Sequence, residues 1–569
     1  MSKRILDREA LAVQAMRQPE IPPMALRDWW RGAVIYEIYI RSFQDSDGDG
    51  IGDLRGVIAR LDYIAALGVD AIWLSPFYPS PQKDFGYDIT DMRGVDPCLG
   101  TMEDFLALLD GAHARGLRVL LDFVPPHTSD AHPWFLESRE SRDNPRADWY
   151  VWADAAPDGC PPNNWLSSFG GSAWDWEPRR AQYYYHPFLA CQPALNLLNP
   201  DVVEAVSHEM RFWLDLGVDG FRLDAVQTFA CDPDLRSNPP VGRNHGDIRI
   251  GGGPNNPFAR QHHLFDRDVP EALEVIEALR RVVDDYDPPR ILVGELADMD
   301  SARLSEKYTA RGQLLHSVYD FDFVNADPDP EALIALLRRR GAYRPTGWIY
   351  NVFTNHDSVR AVSNMTAFAT DRRMRNEAAK LLIFVQFTLK GGGVLYQGEE
   401  LGLPHPTLSL DQLRDPWGIR LWPDFEGRDG ARTPMPWRAE ARHAGFTDGH
   451  EPWFAVPEAH VPLAVDRQER DPTSVLGFTR AFLHWRRGQD LLKWGGECIH
   501  DADHAPVVAF DRFDDTRRYT ALANFSLDDR FVPLHPALAP LDAPGTVAER
   551  SERGIGLPPL GFAIVARHA

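Results

Sequence analysis

The chain has 569 residues, of which 44% are hydrophobic and 25% are charged, a composition typical of a globular protein with a large core. Its 83 acidic residues exceed its 60 basic residues and give a formal net charge of -23 at pH 7. This excess disfavours nucleic acid and anionic membranes as partners, because both attract basic patches, and it is compatible with a neutral substrate.

Residues 1–27 form an N-terminal extension before the first predicted strand. Charged residues interrupt every apolar run in this segment, so it lacks a signal-peptide core, and no run in the chain reaches the roughly 18 apolar residues of a membrane span. We predict a short helix from residue 1 to about residue 20, ended by Pro22 and Pro23. The five cysteines include no CxxC pair, which disfavours disulfides and zinc and favours a cytoplasmic location.

Short apolar segments alternate with segments of helical period, which predicts an α/β protein built from parallel β/α units. The candidate strands are residues 33–39, 70–75, 118–124, 220–225, 290–295, 315–320, 349–354 and 393–397. A closed β/α barrel needs eight strands, so the sequence predicts a (β/α)8 TIM barrel formed by residues 28–126 and 191–488.

The first loop of the predicted barrel carries carboxylates at positions 45, 47, 49 and 53. A loop of this kind can surround a hard cation with oxygen ligands. It begins like an EF-hand, but Gly56 stands at the twelfth position, where that motif requires Glu. A solvated acidic turn without a metal is the alternative.

Two insertions and a C-terminal region depart from the β/α alternation. Residues 127–190 are rich in Trp, Pro, Asn and Gly and lack helical period, and residues 402–470 form a long loop after the eighth strand. Long loops on the C-terminal face of a barrel usually shape a binding site. Residues 489–569 contain short alternating segments, which predict an antiparallel β-sandwich.

Three of the predicted strands end close to a carboxylate, namely Asp224, Glu295 and Asp357. In one parallel barrel, these three acids meet at the C-terminal mouth. Arg222 and Asp224 point to the same face of their strand, and we expect the guanidinium to lower the pKa of Asp224 and keep it ionised. Such an aspartate can act as a nucleophile, and a pair of carboxylates about 5 Å apart suits retaining glycoside hydrolysis. A structural ion pair is the alternative for Arg222 and Asp224 taken alone.

These strand ends resemble the conserved regions of the alpha-amylase family of glycoside hydrolases (family 13), and they match the branch of alpha-glucosidases and oligo-1,6-glucosidases best. The matching segments occur in the family's order, between about Trp29 and Trp437. They are residues 84–88, 121–127, 192–196, 217–226, 291–296, 352–360, 396–400 and 427–437. The resemblance implies that residues 127–190 are domain B, which walls the active site.

The resemblance also implies roles for individual residues. Asp224 corresponds to the nucleophile, Glu295 to the general acid/base and Asp357 to the acid that stabilises the transition state. The implied substrate-binding residues are Asp84, Tyr87, His127, Arg222, His356 and Arg428, with Asp122 bracing Arg222. Asp84 and Arg428 would close the pocket behind the terminal glucose. Taken alone, the two histidines could be core residues, and Arg428 could pair with Asp429 or Glu426.

The resemblance further implies a divalent metal in the acidic loop, far from the reaction. The ligands would be Asp45, Asp47, Asp49, the Ile51 carbonyl and Asp53, and the ion would be a structural Ca²⁺ or Mg²⁺. We expect no organic cofactor.

The resulting interpretation is a retaining, exo-acting alpha-glucosidase that hydrolyses alpha-1,4-linked glucose from short oligosaccharides such as maltose through a covalent glucosyl-enzyme, with transglucosylation as a second outcome. Ala225 favours alpha-1,4 cleavage, since related enzymes with valine at this position cleave alpha-1,6 links. The alternatives are an oligo-1,6-glucosidase, a sucrose-active glucosyltransferase or isomerase, and a non-catalytic transporter subunit. The last is disfavoured because all three acids are present. We expect a monomer or a homodimer.

Overall fold

A closed barrel of eight parallel strands forms the centre of the computed structural model, which describes residues 28–242, 255–297, 301–326, 329–342, 348–501, 505–535, 537–546 and 548–567. The predicted N-terminal extension, residues 1–27, lies outside the described residues. In chain order the strands are β1 (Val34–Ile38), β2 (Ala71–Leu74), β3 (Arg118–Phe123), β4 (Trp152–Ala153), β5 (Trp174–Glu177), β6 (Gln182–Tyr185), β7 (Gly220–Leu223), β8 (Ile291–Leu296), β9 (Ser317–Asp320), β10 (Trp348–Val352), β11 (Gly392–Tyr396), β12 (Gly496–Ile499), β13 (Val507–Phe513), β14 (Arg518–Asn524), β15 (Arg530–Pro533), β16 (Leu538–Pro540), β17 (Glu549–Ser551), β18 (Gly554–Leu557) and β19 (Phe562–Arg567).

The α-helices among the described residues are mostly those that cover the barrel. They are α1 (Leu54–Ala59), α2 (Leu61–Ala66), α3 (Met102–Ala114), α4 (Pro133–Ser138), α5 (Pro200–Asp215), α6 (Glu271–Asp284), α7 (Ser301–Thr309), α8 (Pro330–Ala342), α9 (Ala361–Asn364), α10 (Arg372–Thr388), α11 (Pro416–Leu421), α12 (Val465–Gln468), α13 (Val475–Arg487) and α14 (Asp490–Trp494).

The barrel strands are paired in the order β1-β11-β10-β9-β8-β7-β3-β2, and β2 closes the ring by pairing with β1. All eight strands predicted from the sequence are present, which confirms the TIM barrel. The strands are apolar because both of their faces are covered. Ile35, Leu120 and Val293 belong to a cluster inside the barrel. Tyr36 and Leu121, which point the other way, belong to the large core shared with the helices.

The segment 127–190 contains a small antiparallel sheet in the order β4-β6-β5. It also contains α4, so the expectation that this segment lacks helix is wrong for one short stretch. The side chain of His132 accepts a hydrogen bond from the Trp134 N–H, and Pro133 occupies the first helical position. These local features begin a helix without any apolar period.

Two antiparallel sheets follow the barrel, in the orders β12-β13-β14-β19-β16 and β15-β18-β17. Val507, Leu522 and Val565 of the first sheet share one buried cluster with Val532 and Ile555 of the second. This arrangement confirms the predicted β-sandwich.

No helix in the described ranges is long and apolar enough to cross a membrane. All five cysteines are unpaired.

Candidate active site

The C-terminal ends of β3, β7 and β8 bring three carboxylates onto one guanidinium. Arg222 Nη1 lies 2.8 Å from Asp122 Oδ1 and 2.7 Å from Asp224 Oδ1, and its Nη2 lies 2.7 Å from Glu295 Oε2. The Ala225 N–H also donates to Glu295 Oε2, at 3.0 Å. Asp122 therefore contacts Arg222 as predicted, and two of the three strand-end acids, Asp224 and Glu295, meet at the same guanidinium.

The electrostatics of this group differ from the sequence prediction for Asp224. Burial, opposed by the charge of Arg222, raises the pKa of Asp224 to about 6. The expectation of a lowered pKa is thus wrong, because desolvation of a carboxylate inside the barrel outweighs its one adjacent cation. Burial, again opposed by Arg222, raises the pKa of Glu295 to about 7, and the negative charges of Asp224 and Asp357 add to the rise. Both carboxyl groups therefore hold a proton more strongly than exposed acids of their type do.

Asp357 is held in the opposite state. Burial raises the pKa of Asp357, but its interactions with His356 and with the guanidinium groups of Arg432 and Arg428 outweigh burial and bring it below its usual range. Arg432 Nη2 lies 2.5 Å from Asp357 Oδ1, and Arg428 Nη1 lies 3.7 Å from the same oxygen. Asp357 therefore stays ionised and can stabilise positive charge on a sugar ring.

A second group of charged residues closes one end of the site. Arg428 Nη2 lies 2.6 Å from Asp84 Oδ1 and 2.8 Å from Asp415 Oδ1. Gln192 donates its amide N–H to the other oxygen of Asp84, at 2.9 Å. The guanidinium also lies 5.0 Å from the centre of the Phe169 ring. Arg428 pairs with Asp84 and Asp415, and not with the Asp429 or Glu426 considered from the sequence.

Tyr87 and the two histidines fill the wall between these groups. The Tyr87 hydroxyl lies 2.8 Å from Asp122 Oδ2 and 2.6 Å from His356 Nε2, and His356 Nδ1 lies 2.6 Å from Glu37 Oε1. His127 Nε2 lies 3.1 Å from the Tyr87 carbonyl oxygen. Burial lowers the pKa of His127 to about 4 and that of His356 to about 3, so both rings are neutral at pH 7. Direct contact of either histidine with a sugar stays a prediction.

These groups surround a cavity of about 520 Å³. Seven of the nine predicted catalytic and substrate-binding residues line it, namely Asp84, Tyr87, His127, Asp224, Glu295, Asp357 and Arg428. Arg222 and His356 are not among the lining residues and contact the carboxylates of Asp224 and Asp357 from behind the wall. Sequence reasoning missed the ion-pair roles of Asp415 and Arg432. Arg432 lies in the segment 427–437 that carried the resemblance, whereas Asp415 lies in the long loop without any motif.

The acidic loop lies before α1, away from this cavity. Asp45, Asp47 and Asp49 each offer an oxygen within 4.8 Å of the other two. The Asp53 carboxylate accepts from the Gly56 N–H at 2.7 Å and caps α1, so it lies outside that group of three. Among the described residues no lysine or arginine forms an ion pair with these acids. Three carboxylates without a cationic partner fit the donor set of a hard cation.

Comparison with known proteins gives consistent matches along the chain. The family described as "Alpha amylase, catalytic domain" matches residues 37–495. A protein of Rhizobium meliloti named probable alpha-glucosidase is 46% identical over 542 residues, covering 94% of this chain and 96% of its own. An oligo-1,6-glucosidase of Heyndrickxia coagulans is 36% identical over 538 residues, covering 88% and 93%. The crystal structure of an alpha-glucosyl transfer enzyme has a TM-score of 0.90 at 44% identity, covering 95% and 99%.

Proposed function

The chain belongs to the alpha-amylase family of glycoside hydrolases, and from this membership we propose that it is a retaining, exo-acting alpha-glucosidase for short alpha-1,4-linked oligosaccharides such as maltose. The observation that carries the proposal is the end wall formed by Asp84, Arg428 and Gln192 beside the catalytic acids. A wall at this place blocks extension of a bound sugar chain past it. It favours removal of a terminal glucose over cleavage inside a long chain.

In the first chemical step Asp224 attacks the anomeric carbon. A carbon–oxygen bond forms to its carboxylate while the bond to the leaving oxygen breaks, and Glu295 gives its proton to that oxygen. The raised pKa of Glu295 suits its role as the acid. Asp357, held ionised by Arg432, faces the positive charge that develops on the sugar ring.

In the second step the Glu295 carboxylate takes a proton from water. The water oxygen attacks the anomeric carbon, glucose is released with retained configuration, and Asp224 is free again. A sugar hydroxyl in place of water gives transglucosylation by the same bond changes. An alpha-glucosyl transfer enzyme among the related structures makes this second outcome worth measuring.

The second candidate function is alpha-1,6 cleavage, since a protein named oligo-1,6-glucosidase is among the relatives. Ala225 favours the alpha-1,4 assignment, because a small side chain beside Asp224 leaves space for the acceptor sugar of a maltose unit. The deciding experiment compares kcat/KM for maltose, isomaltose, sucrose and amylose and identifies the products. A higher kcat/KM for isomaltose would reverse the linkage assignment, and efficient internal cleavage of amylose would contradict exo action.

We also propose a structural Ca²⁺ or Mg²⁺ ion in the acidic loop, bound by Asp45, Asp47, Asp49 and the Ile51 carbonyl. The approach of three carboxylate oxygens supports it. Asp53 caps a helix instead of joining this group. We expect Asp53 to hold the shape of the loop, because its carboxylate accepts a hydrogen bond from the Ser46 N–H at 2.7 Å. The ion would rigidify the loop and supply no chemistry to the reaction.

A further inference from the structure

Gln227 lies on the cavity wall beside the general acid. The Ala225 N–H donates to Glu295 Oε2 at 3.0 Å, and the Ala297 N–H donates to Gln227 Oε1 at 2.8 Å. The segments that follow β7 and β8 therefore run side by side beyond the strands. Because Glu295 protonates the leaving oxygen, groups held next to it face the departing sugar and not the end wall.

The orientation of the Gln227 amide is fixed by two donors. Its oxygen accepts from the Ala297 N–H and from Arg267 Nη2, the latter at 2.9 Å. Arg267 Nη2 also donates to the Ala297 carbonyl oxygen at 2.8 Å, so it ties the two segments together. The Gln227 amide nitrogen is buried and has no hydrogen-bond partner within the part of the chain that the structure describes. A buried donor without a partner is costly, so a ligand hydroxyl that accepts from it gains affinity.

Asp266 precedes Arg267 in the chain, also lines the cavity and offers the complementary group. Its Oδ2 lies 2.7 Å from His263 Nδ1, whereas its Oδ1 is buried and lacks a partner among the described residues. A sugar hydroxyl can donate and accept, so it can satisfy both a free amide N–H and a free carboxylate oxygen. The adjacent Phe258 ring also lines the cavity and gives an apolar surface for the C–H groups of a sugar.

We propose that Gln227 and Asp266 form the polar wall of the acceptor subsite, where they bind hydroxyl groups of the sugar that leaves in the first step or attacks during transfer. Arg267 is a positioning residue that holds the Gln227 amide. The inference rests on the proposed alpha-glucosidase function. It adds residues that would bind a sugar as leaving group or acceptor more tightly than an alcohol without further hydroxyl groups.

The test compares two substrates that share a glucose and differ in the leaving group. Maltose releases a hydroxylated sugar, whereas p-nitrophenyl alpha-glucoside releases an aryl group without hydroxyls on its ring. Gln227→Met removes both polar atoms, and Gln227→Glu keeps an oxygen for Ala297 and Arg267 but removes the amide donor. Both variants should lower kcat/KM for maltose roughly tenfold while kcat/KM for the aryl glucoside changes less than about threefold. Asp266→Asn should act in the same direction.

Gln192→Met is the matched control, since this glutamine contacts Asp84 on the glucose side of the acids. It should lower kcat/KM for both substrates by similar factors. Thermal unfolding of each variant shows whether it is folded, and Gln227→Glu keeps the test informative if Gln227→Met is destabilised. Equal losses on both substrates in the folded Gln227 variants, or no loss with maltose, would overturn the inference alone. A wild-type protein that cleaves neither substrate would overturn the proposed function and the inference with it.

Discussion

Among substitutions in the end wall, we expect Arg428→Ala to have the largest effect on stability and on kcat/KM. The Arg428 side chain is 4% exposed and is the cation shared by Asp84 and Asp415, at 2.6 and 2.8 Å. Its removal leaves two buried carboxylates without their cation, which costs about 3–5 kcal/mol of stability for a broken buried pair. The loss of one charged hydrogen bond near the sugar costs a further 1.5–3 kcal/mol or so of binding, or about ten- to a hundredfold in kcat/KM.

The assay measures kcat/KM for maltose together with the unfolding temperature. The Arg428→Ala variant should have a lower kcat/KM, with a raised KM for maltose, and a lower unfolding temperature. Arg281→Ala is the matched control, because Arg281 pairs with Glu277 on the exposed surface of α6 with 70% of its side chain exposed. A surface pair of this kind contributes little, so this variant should behave as wild type. An Arg428→Ala enzyme within threefold of wild type on maltose would refute the assignment of the end wall.

The remaining predictions concern the acids, the pH profile, the metal and the linkage. Asp224→Asn should lower turnover at least about a hundredfold, since no ester can form, while Glu295→Gln should keep cleavage of an activated aryl glucoside, whose leaving group needs little protonation. Since burial raises the pKa of Asp224 to about 6 and that of Glu295 to about 7, kcat/KM should rise with pH as Asp224 loses its proton and fall as Glu295 loses its own. A chelator should lower the unfolding temperature, because an ion at a hundred times its Kd stabilises the fold by about 2.7 kcal/mol. Ala225→Val should shift preference from maltose towards isomaltose by about tenfold and lower stability, because Ala225 has φ 44° and a β-branched side chain is strained there.

Each of these predictions has an outcome that contradicts it. An Asp224→Asn enzyme with more than about a hundredth of the wild-type rate would exclude Asp224 as the nucleophile. A profile of kcat/KM that stays flat well above pH 8 would show that Glu295 does not act as the acid. An unfolding temperature unaffected by chelator would argue for a solvated acidic turn. Glycine at position 225 tolerates the positive φ, so Ala225→Gly changes side-chain size without backbone strain. An equal shift towards isomaltose in this variant would show that a larger side chain is not the cause.

The barrel could be predicted from the sequence because its strands are short apolar runs that are buried on both faces. The helix α4 could not, because it depends on one capping contact from His132 and on Pro133 rather than on periodicity. The sandwich followed from alternation over segments such as β13 and β14, where each strand has one face towards the other sheet.

The candidate catalytic residues were predictable where a carboxylate stands at the end of an apolar strand, as at Asp224 and Glu295. It was not predictable where partners come from long loops. Asp415 lies far from any strand end, and only the folded chain places its carboxylate 2.8 Å from Arg428. The pKa of Asp224 shows a second limit. The neighbouring arginine is visible in the sequence, but the burial that outweighs it is a property of the whole barrel.

The charges around Arg222 bear on the different roles that we propose for Asp224 and Glu295. One guanidinium contacts Asp122, Asp224 and Glu295, all of them buried. Three ionised carboxylates on one cation would leave two uncompensated negative charges inside the barrel, so a proton on one of them is favourable. Burial raises the pKa of Glu295 to about 7, and the negative charges of Asp224 and Asp357 add to the rise. The negative charge of the cluster therefore favours one bound proton, which Glu295 carries in the proposed mechanism. A substitution that adds a cation beside Glu295 should lower its pKa and weaken it as an acid at pH 7.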